Sequence, residues 1–324
     1  MSLRLLALGG EGPEHVTGDG RGGLLTGVAD GRVLGVDPVT RRVREAANTG
    51  GRPMGMTVSV DGGLLVCDAE RGLLAVDLST AAVRVLLTKA EGVPLGLCSN
   101  VAQARDGTVY VTDSSTRHGL RNWKRDLLEH IGTGRLIRLS PDGSVDVLLD
   151  GLQFANGVVL APDESHVVIA ESGAYRLVRL WLRGARTGQH ETLAEVPGFP
   201  DNLTLSDDGL IWAAVAGPRD PLVALLHRGP TTPRRALAAL PPWMLPGPRP
   251  SVRALGLHLD GRPAFDVRRP PRGFTMATSA YRADNLLWFG SLRGGALAVT
   301  DLPARRAAGR VVVQPDDGPT AASP

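Results

Sequence analysis

The sequence predicts an all-β protein, a six-bladed β-propeller of four-stranded blades with short helical lid insertions. Three observations point there. The 41 glycines and 24 prolines stand as punctuation between short runs rich in Val and Leu, which favours many strands and tight turns over long helices. At 324 residues and 43% hydrophobic content the chain can bury a large core, yet it exceeds most single compact domains unless its architecture repeats. A strand–turn–strand unit does recur, at a period of roughly 40 to 55 residues, as propeller blades do.

The units follow in order. Residues 14–37 read EHVTGDGRGGLLTGVADGRVLGVD, and 54–77 read MGMTVSVDGGLLVCDAERGLLAVD. NVAQARDGTVYVTDSS (100–115), NGVVLAPDESHVVIAES (156–172) and DNLTLSDDGLIWAAV (201–215) come next, and a weaker copy lies at 275–299. Each is an apolar strand, an Asp-Gly-type turn and a second strand. Such a unit cannot bury both faces of its small sheet alone, so consecutive units must stack around an axis until the ring closes. A terminal strand completes the last blade, either LRLLAL near the start or GRVVVQP at 309–315. Residues 1–315 then form one domain, and 316–324 form a mobile tail. A β-sandwich is the alternative, but its strands would not group at this period.

Two insertions break the repeat, TRHGLRNWKRDLLEHIGTG (116–134) and TPRRALAALPPWMLPG (232–247). Each carries a helix-like segment and apolar side chains: Trp123, Leu127 and Leu128 in the first, Trp243, Met244 and Leu245 in the second. They read either as lids over one mouth of the ring or as segments packed on blade edges.

The formal charge of +3 comes from arginines scattered among acids, with small clusters at Arg41-Arg42 and 268–272. No basic stripe is interleaved with aromatics, which argues against a nucleic-acid face. The apolar part of MSLRLLALGGEGPE is too short for a signal peptide, and no run approaches the roughly 20 residues of a membrane helix. A soluble cytoplasmic protein with no obligate protein partner is expected. Cys67 and Cys98 lie on apolar strand-like segments and read as reduced, buried thiols.

In a propeller the innermost strands all begin at one end of the central channel, so equivalent residues of the repeat meet around the axis. Alignment on the turns brings Glu14, Met54, Asn100, Asn156 and Asp201-Asn202 to that position. The polar members supply only hard oxygens, two carboxylates and three amide carbonyls, a set that suits calcium and not zinc. Any one of them taken singly is an ordinary turn residue at a strand entry. A metal there can polarise a carbonyl or phosphoryl oxygen, with Asp201 as the candidate base and Glu14 closer to a pure ligand. His118 in the first insertion is a further catalytic candidate; His15 should point away from the axis by strand alternation. Met54, Trp123, Trp243 and Arg282 are the candidates for contacting the substrate.

GRPMGM, GTVYVTDSS, GRLIRLSPDG, LQFANGVVLAPDESHVVIAES, YRLVRLWLRGARTG, VPGFPDNLTLSDDGLIWAA and LLWFGSL, in that order, resemble the strictosidine synthase-like family over about residues 12 to 300. That family is similar to the calcium-dependent propeller hydrolases, the gluconolactonase, regucalcin and paraoxonase group. The resemblance implies a six-bladed propeller with a channel calcium on Glu14, Asn100, Asn156 and Asp201, with Asn202 added in the paraoxonase pattern. It implies hydrolysis of a lactone, an ester or an organophosphate-type substrate with an apolar portion. There are departures. Arg282 stands at or near the place of the synthases' catalytic glutamate, which disfavours a carbon–nitrogen condensation because an arginine cannot act as that base. Met54 stands where the paraoxonases carry a catalytic histidine. Asn100-Val101 replaces a frequent Asn-Asp pair, which weakens the case for a second calcium. A non-catalytic propeller with a structural channel calcium is the competing reading.

Overall fold

Short apolar runs such as LLVCD at Leu64–Asp68 are buried on both faces, and this is what makes the sheets stack. Leu64 and Val66 pack with Leu25 and Val33 of the preceding sheet, whereas Leu65 and Cys67 pack with Cys98 and Val111 of the following one. The period-2 alternation of strand side chains therefore feeds two apolar seams. Six such clusters occur, one at each contact between neighbouring sheets. Each fully buried Leu or Val contributes about 1.5–3 kcal/mol, so the seams, more than any isolated four-stranded sheet, hold the ring together.

The computed structural model describes residues 2–302 apart from 242, 243, 246 and 248. It contains six four-stranded antiparallel sheets, here blades 1 to 6. Their innermost strands are Val16–Gly18, Pro53–Val58, Cys98–Gln103, Ala155–Leu160, Gly198–Leu205 and Ala277–Ala283. Each packs beside the next, and the sixth packs beside the first, so the ring is closed. The predicted six-bladed propeller is the observed fold.

Arg4–Ala7 supplies the outermost strand of blade 6, pairing antiparallel with Ala296–Asp301 so that Arg4 faces Val299 and Ala7 faces Ala296. The start of the chain thus completes the last blade; GRVVVQP and the tail 316–324 lie outside the described residues. A two-stranded ribbon, Lys89–Ala90 with Val93–Pro94, is an addition that the repeat does not foretell.

A buried acid ends the second strand of three successive blades and fixes where the innermost strand enters. Asp68 Oδ1 accepts from the N–H groups of Arg52, Glu70 and Arg71 at 3.0, 2.9 and 3.0 Å. Asp113 Oδ1 accepts from Gly96 and Leu97 at 3.1 and 2.8 Å, and its Oδ2 from Arg135 at 2.7 Å. Glu171 Oε1 accepts from the Gln153 N–H at 2.8 Å and its Oε2 from Arg176 at 2.5 Å. Arg52, Leu97 and Gln153 stand just before the innermost strands of blades 2, 3 and 4. The acids therefore set the heights of Met54, Asn100 and Asn156 in the channel.

Among the described residues three α-helices interrupt the blades: α1 (Trp123–Glu129), α2 (Pro221–Arg228) and α3 (Thr231–Ala238). The second insertion begins earlier than 232. Asp220 caps α2 by accepting from the Leu222 and Val223 N–H groups, and Pro221 fits the first helical position, where no N–H is needed. Leu128, Val223, Ala238 and Leu245 join the insertions in one cluster, and the His130 and His227 rings stack 3.9 Å apart. Leu127 packs down onto Leu97 and Phe154 of the ring. The insertions thus both cover the mouth and pack on the blades; Leu128 and Leu245 are buried, while Met244 is exposed. Among the described residues no helix is long and apolar enough to cross a membrane. Cys67 and Cys98 are buried free thiols.

Candidate metal centre and substrate cavity

Close approach of the innermost strands builds the centre. A Cβ on Gly157 would lie 2.2 Å from the Leu203 nitrogen and 2.7 Å from the Asp201 carbonyl oxygen. One on Gly55 would lie 2.6 Å from the Ser99 oxygen and 2.7 Å from the Asn100 Cα. Glycine after Asn156, and likewise after Met54, is what lets blade 4 meet blade 5 and blade 2 meet blade 3 at the channel mouth.

Glu14, Asn100, Asn156, Asp201 and Asn202 come together there, all buried. Asn202 donates to Glu14 Oε1 and, at 2.9 Å, to the Thr278 carbonyl, and accepts from the Asn100 amide. Asn100 Oδ1 accepts from the Val101 N–H at 2.8 Å. The Asn156 amide faces Asp201 and is held by Ser99 and Ser172 at 3.3 and 3.4 Å. Glu14, Asn156 and Asp201 open into a cavity, whereas Asn100 and Asn202 are not among its lining residues. The two asparagines form an amide relay beside Glu14.

The electrostatics of this floor are only partly compensated. Burial lifts the Glu14 carboxyl from its ordinary 4.5 to about 7, against the lowering effects of the Asn202 amide and the Arg52 charge. Burial, and then the charge of Glu14, push Asp201 well above the usual carboxylate range, with Asn156 and the Asn202 N–H opposing. Glu14 Oε2 is buried without a hydrogen-bond partner. Among the described residues no group of three or more His, Cys, Asp and Glu gathers, so the donors here are two carboxylates with amides. A hard cation such as calcium fits that set: it would satisfy Glu14 Oε2 and relieve the repulsion between the carboxylates. Glu14, Asn156 and Asp201 would hold it.

Above the floor lies a cavity of about 100 Å³, and Leu97, Trp123, Leu127, Phe154, Phe199 and Met276 give it an apolar wall. Met54 and Trp123 line it as the sequence suggests. His118 does not; its Nε2 lies 3.2 Å from Glu129 Oε2 at the end of α1. Arg282 also lies away from the cavity, at the end of its strand, where Nε donates to the Asp284 carbonyl at 2.9 Å and the guanidinium pairs with Asp208. His15 Nδ1 accepts from the Met56 N–H at 3.4 Å, and burial lowers the ring to about 4, so it is neutral. Trp243 lies outside the described residues.

Sequence reasoning missed Ser99, Ser172, Thr278 and Arg52. Ser172 Oγ donates to the Pro200 carbonyl at 2.5 Å, tying blade 4 to the strand that carries Asp201. Thr278 Oγ1 donates to the Glu14 carbonyl at 2.6 Å across the closing seam. Arg52 is buried, and its Nη2 donates to the Gly12 carbonyl at 2.7 Å beside Glu14. Thr278 sits on the innermost strand of the weakest repeat, so a stricter alignment of 275–299 would have found it; Ser172 repeats Ser114, which follows Asp113 and donates to the Ala155 carbonyl in the same way, while Ser99 and Arg52 carry no periodic signal.

The family model described as strictosidine synthase matches residues 100–185, and that described as strictosidine synthase-like, N-terminal matches residues 1–36. The strictosidine synthase-like 10 protein of Arabidopsis thaliana is 32% identical over 324 aligned residues, covering 91% of this chain and 86% of that protein. The adipocyte plasma membrane-associated protein of Rattus norvegicus is 36% identical over 222 residues, 63% of this chain and 59% of its own length. The fold is similar to that of a gluconolactonase from Xanthomonas campestris, with a TM-score of 0.67 and 18% identity over 93% of this chain and 89% of that one. It is also similar to a calcium-binding protein, regucalcin, from Agrobacterium tumefaciens, with a TM-score of 0.62 and 14% identity over 93% and 95% of the two chains.

Proposed function

Starting from a chain that belongs to the strictosidine synthase-like family, we propose that it is a calcium-dependent hydrolase of a lactone, ester or organophosphate-type small molecule with an apolar portion. One observation carries this reading: two buried carboxylates, one with an unpartnered oxygen, meet at the floor of an apolar cavity. A purely structural pair would be neutralised by the protein's own cations. The same reading makes it a cytoplasmic protein, in keeping with its two buried free thiols.

When bound, calcium would supply Lewis acidity toward a carbonyl or phosphoryl oxygen. Asp201 opens into the cavity, where its carboxylate takes the proton of the attacking water. Glu14 is held in place at the floor by Asn202. Asn156, fixed by Ser99 and Ser172, orients Asp201. Phe154, Phe199 and Leu127 hold the apolar portion and keep bulk water from the reacting atoms.

The test is a thermal melt with and without calcium, followed by turnover of a lactone, aryl-ester and phosphotriester panel. Calcium should raise the melting temperature, as a ligand of the native state does, and support turnover that Asp201→Asn abolishes. Stabilisation without turnover anywhere in the panel would point instead to a non-catalytic propeller whose calcium ties the blades together. No effect of calcium, against chelator and zinc controls, would remove the metal from the proposal.

A further inference from the structure

The cavity wall is apolar, but its rim is cationic. Lys124 of α1 and Arg249 line the mouth. Lys124 Nζ and Arg293 Nη2 lie 3.8 and 4.0 Å from one point beside Gly247, where a Cβ of that residue would sit. Lys124 is partly buried; burial and the Arg293 charge hold its ammonium below its usual range, and no carboxylate acts on it. Three carboxylates line the cavity. Glu14 and Asp201 are buried at the floor, and Asp220 is engaged in capping α2. Among the described residues, none pairs with Lys124, Arg249 or Arg293. Two like charges from separate elements, α1 and the loop after Leu286–Ser291, both approach the backbone at Gly247, Lys124 from the cavity lining and Arg293 from the exposed surface beside it, and an anion bound beside that backbone would attract both.

We infer that this rim is an anion-recognition site, and that the preferred substrate is amphiphilic, with an apolar body in the cavity and a carboxylate or phosphate group held by Lys124, Arg293 and Arg249. The word substrate rests on the hydrolase reading; the anion site does not. Without a cation, the floor offers the same anion only the carboxyl groups of Glu14 and Asp201 and no positive charge among the lining residues there. Head group and reacting carbonyl therefore belong at opposite ends of the ligand.

The experiment measures binding to the full chain by titration calorimetry, with chelator present so that no cation at the floor captures a head group. The probes are decanoate, decyl phosphate and 1-decanol. Both anions should bind about tenfold more tightly than decanol at low salt, since charge-assisted hydrogen bonds are the strong ones and Lys124, though not the exposed Arg249 and Arg293, is partly buried. The preference should shrink as salt rises. In the double variant Lys124→Met/Arg293→Met, whose side chains keep the apolar stems, the anions should fall to the decanol level while decanol binding is unchanged. Equal binding of the three probes by the unmodified protein overturns the site, whatever the variant does; so does a preference that survives the double substitution. Turnover of neutral lactones without any anion preference would break this inference and leave the hydrolase. Anion preference without turnover would do the reverse.

Discussion

Asp113 and Asp201 are both buried carboxylates on strands of the ring, yet their surroundings differ. Burial pushes Asp113 upward, and Arg135 with the Gly96 and Leu97 N–H groups push back, using both of its oxygens. Asp201 is pushed the same way, then further by Glu14, and only an amide and one N–H oppose. The first is compensated within the protein and holds a strand in place; the second awaits compensation from outside. A buried charge left short of partners marks a site where a buried charge alone does not.

The comparison can be broken in several places. The largest effect should come from Asp113→Ala, which leaves Arg135 buried and unpaired. Urea melts should show a loss of roughly 3–5 kcal/mol that calcium does not restore; a loss under about 1 kcal/mol would mean that the strand-end acids are dispensable. Asp201→Asn should do the opposite. Turnover of the best panel substrate falls by about 100-fold or more, while the melting temperature in chelator stays level or rises, because one of two repelling carboxylates has gone. A cooperative loss of fold in this variant would make Asp201 structural.

The third test is pH. Glu14 titrates near 7 in the fold and near 4.5 when unfolded, so between those values the native state holds a proton that the unfolded chain has released. Stability in chelator should therefore fall as pH rises from about 4.5 to about 7, by on the order of 2 kcal/mol, and level off above. Saturating calcium should reverse the slope, since the cation favours the ionised form. Melts across that window, with and without calcium, check both signs. The smallest effect belongs to the partly exposed pair Arg138–Asp146 at 2.8 Å; Arg138→Ala should cost about 0.5 kcal/mol or less, which sets the background for the buried cases.

What was legible in the sequence follows from what repeats. The blades were legible because each must present apolar residues to two neighbours, and that demand recurs along the chain. Glu14, Asn156 and Asp201 were legible because they occupy one register of the repeat. Asn100 and Asn202 share that register, yet they bond to each other and stand beneath the cavity, a distinction set by contacts across the channel. Ser172 had a precedent in Ser114, one blade earlier, but Arg52 and the Lys124–Arg293 pair join residues far apart in the chain, and no spacing rule announces them. Helix α2 did have a local signal, the Asp220-Pro221 cap, overlooked because the strand before it ends without a turn motif.

The pairing of Arg4 with Val299 joins the first strand of the fold to the last blade. On a ribosome, at about 5–20 residues per second, Arg4–Ala7 waits roughly fifteen seconds to a minute for its partner. Until then the seam between blades 6 and 1, with Val16, Leu24 and Trp288, stays open. Ring closure is thus a late event spanning almost the whole described chain, and topologies of such high contact order fold slowly. The nascent protein carries an unpaired strand and one open apolar seam through most of its synthesis, which makes its biogenesis the stage most exposed to aggregation and to help from chaperones.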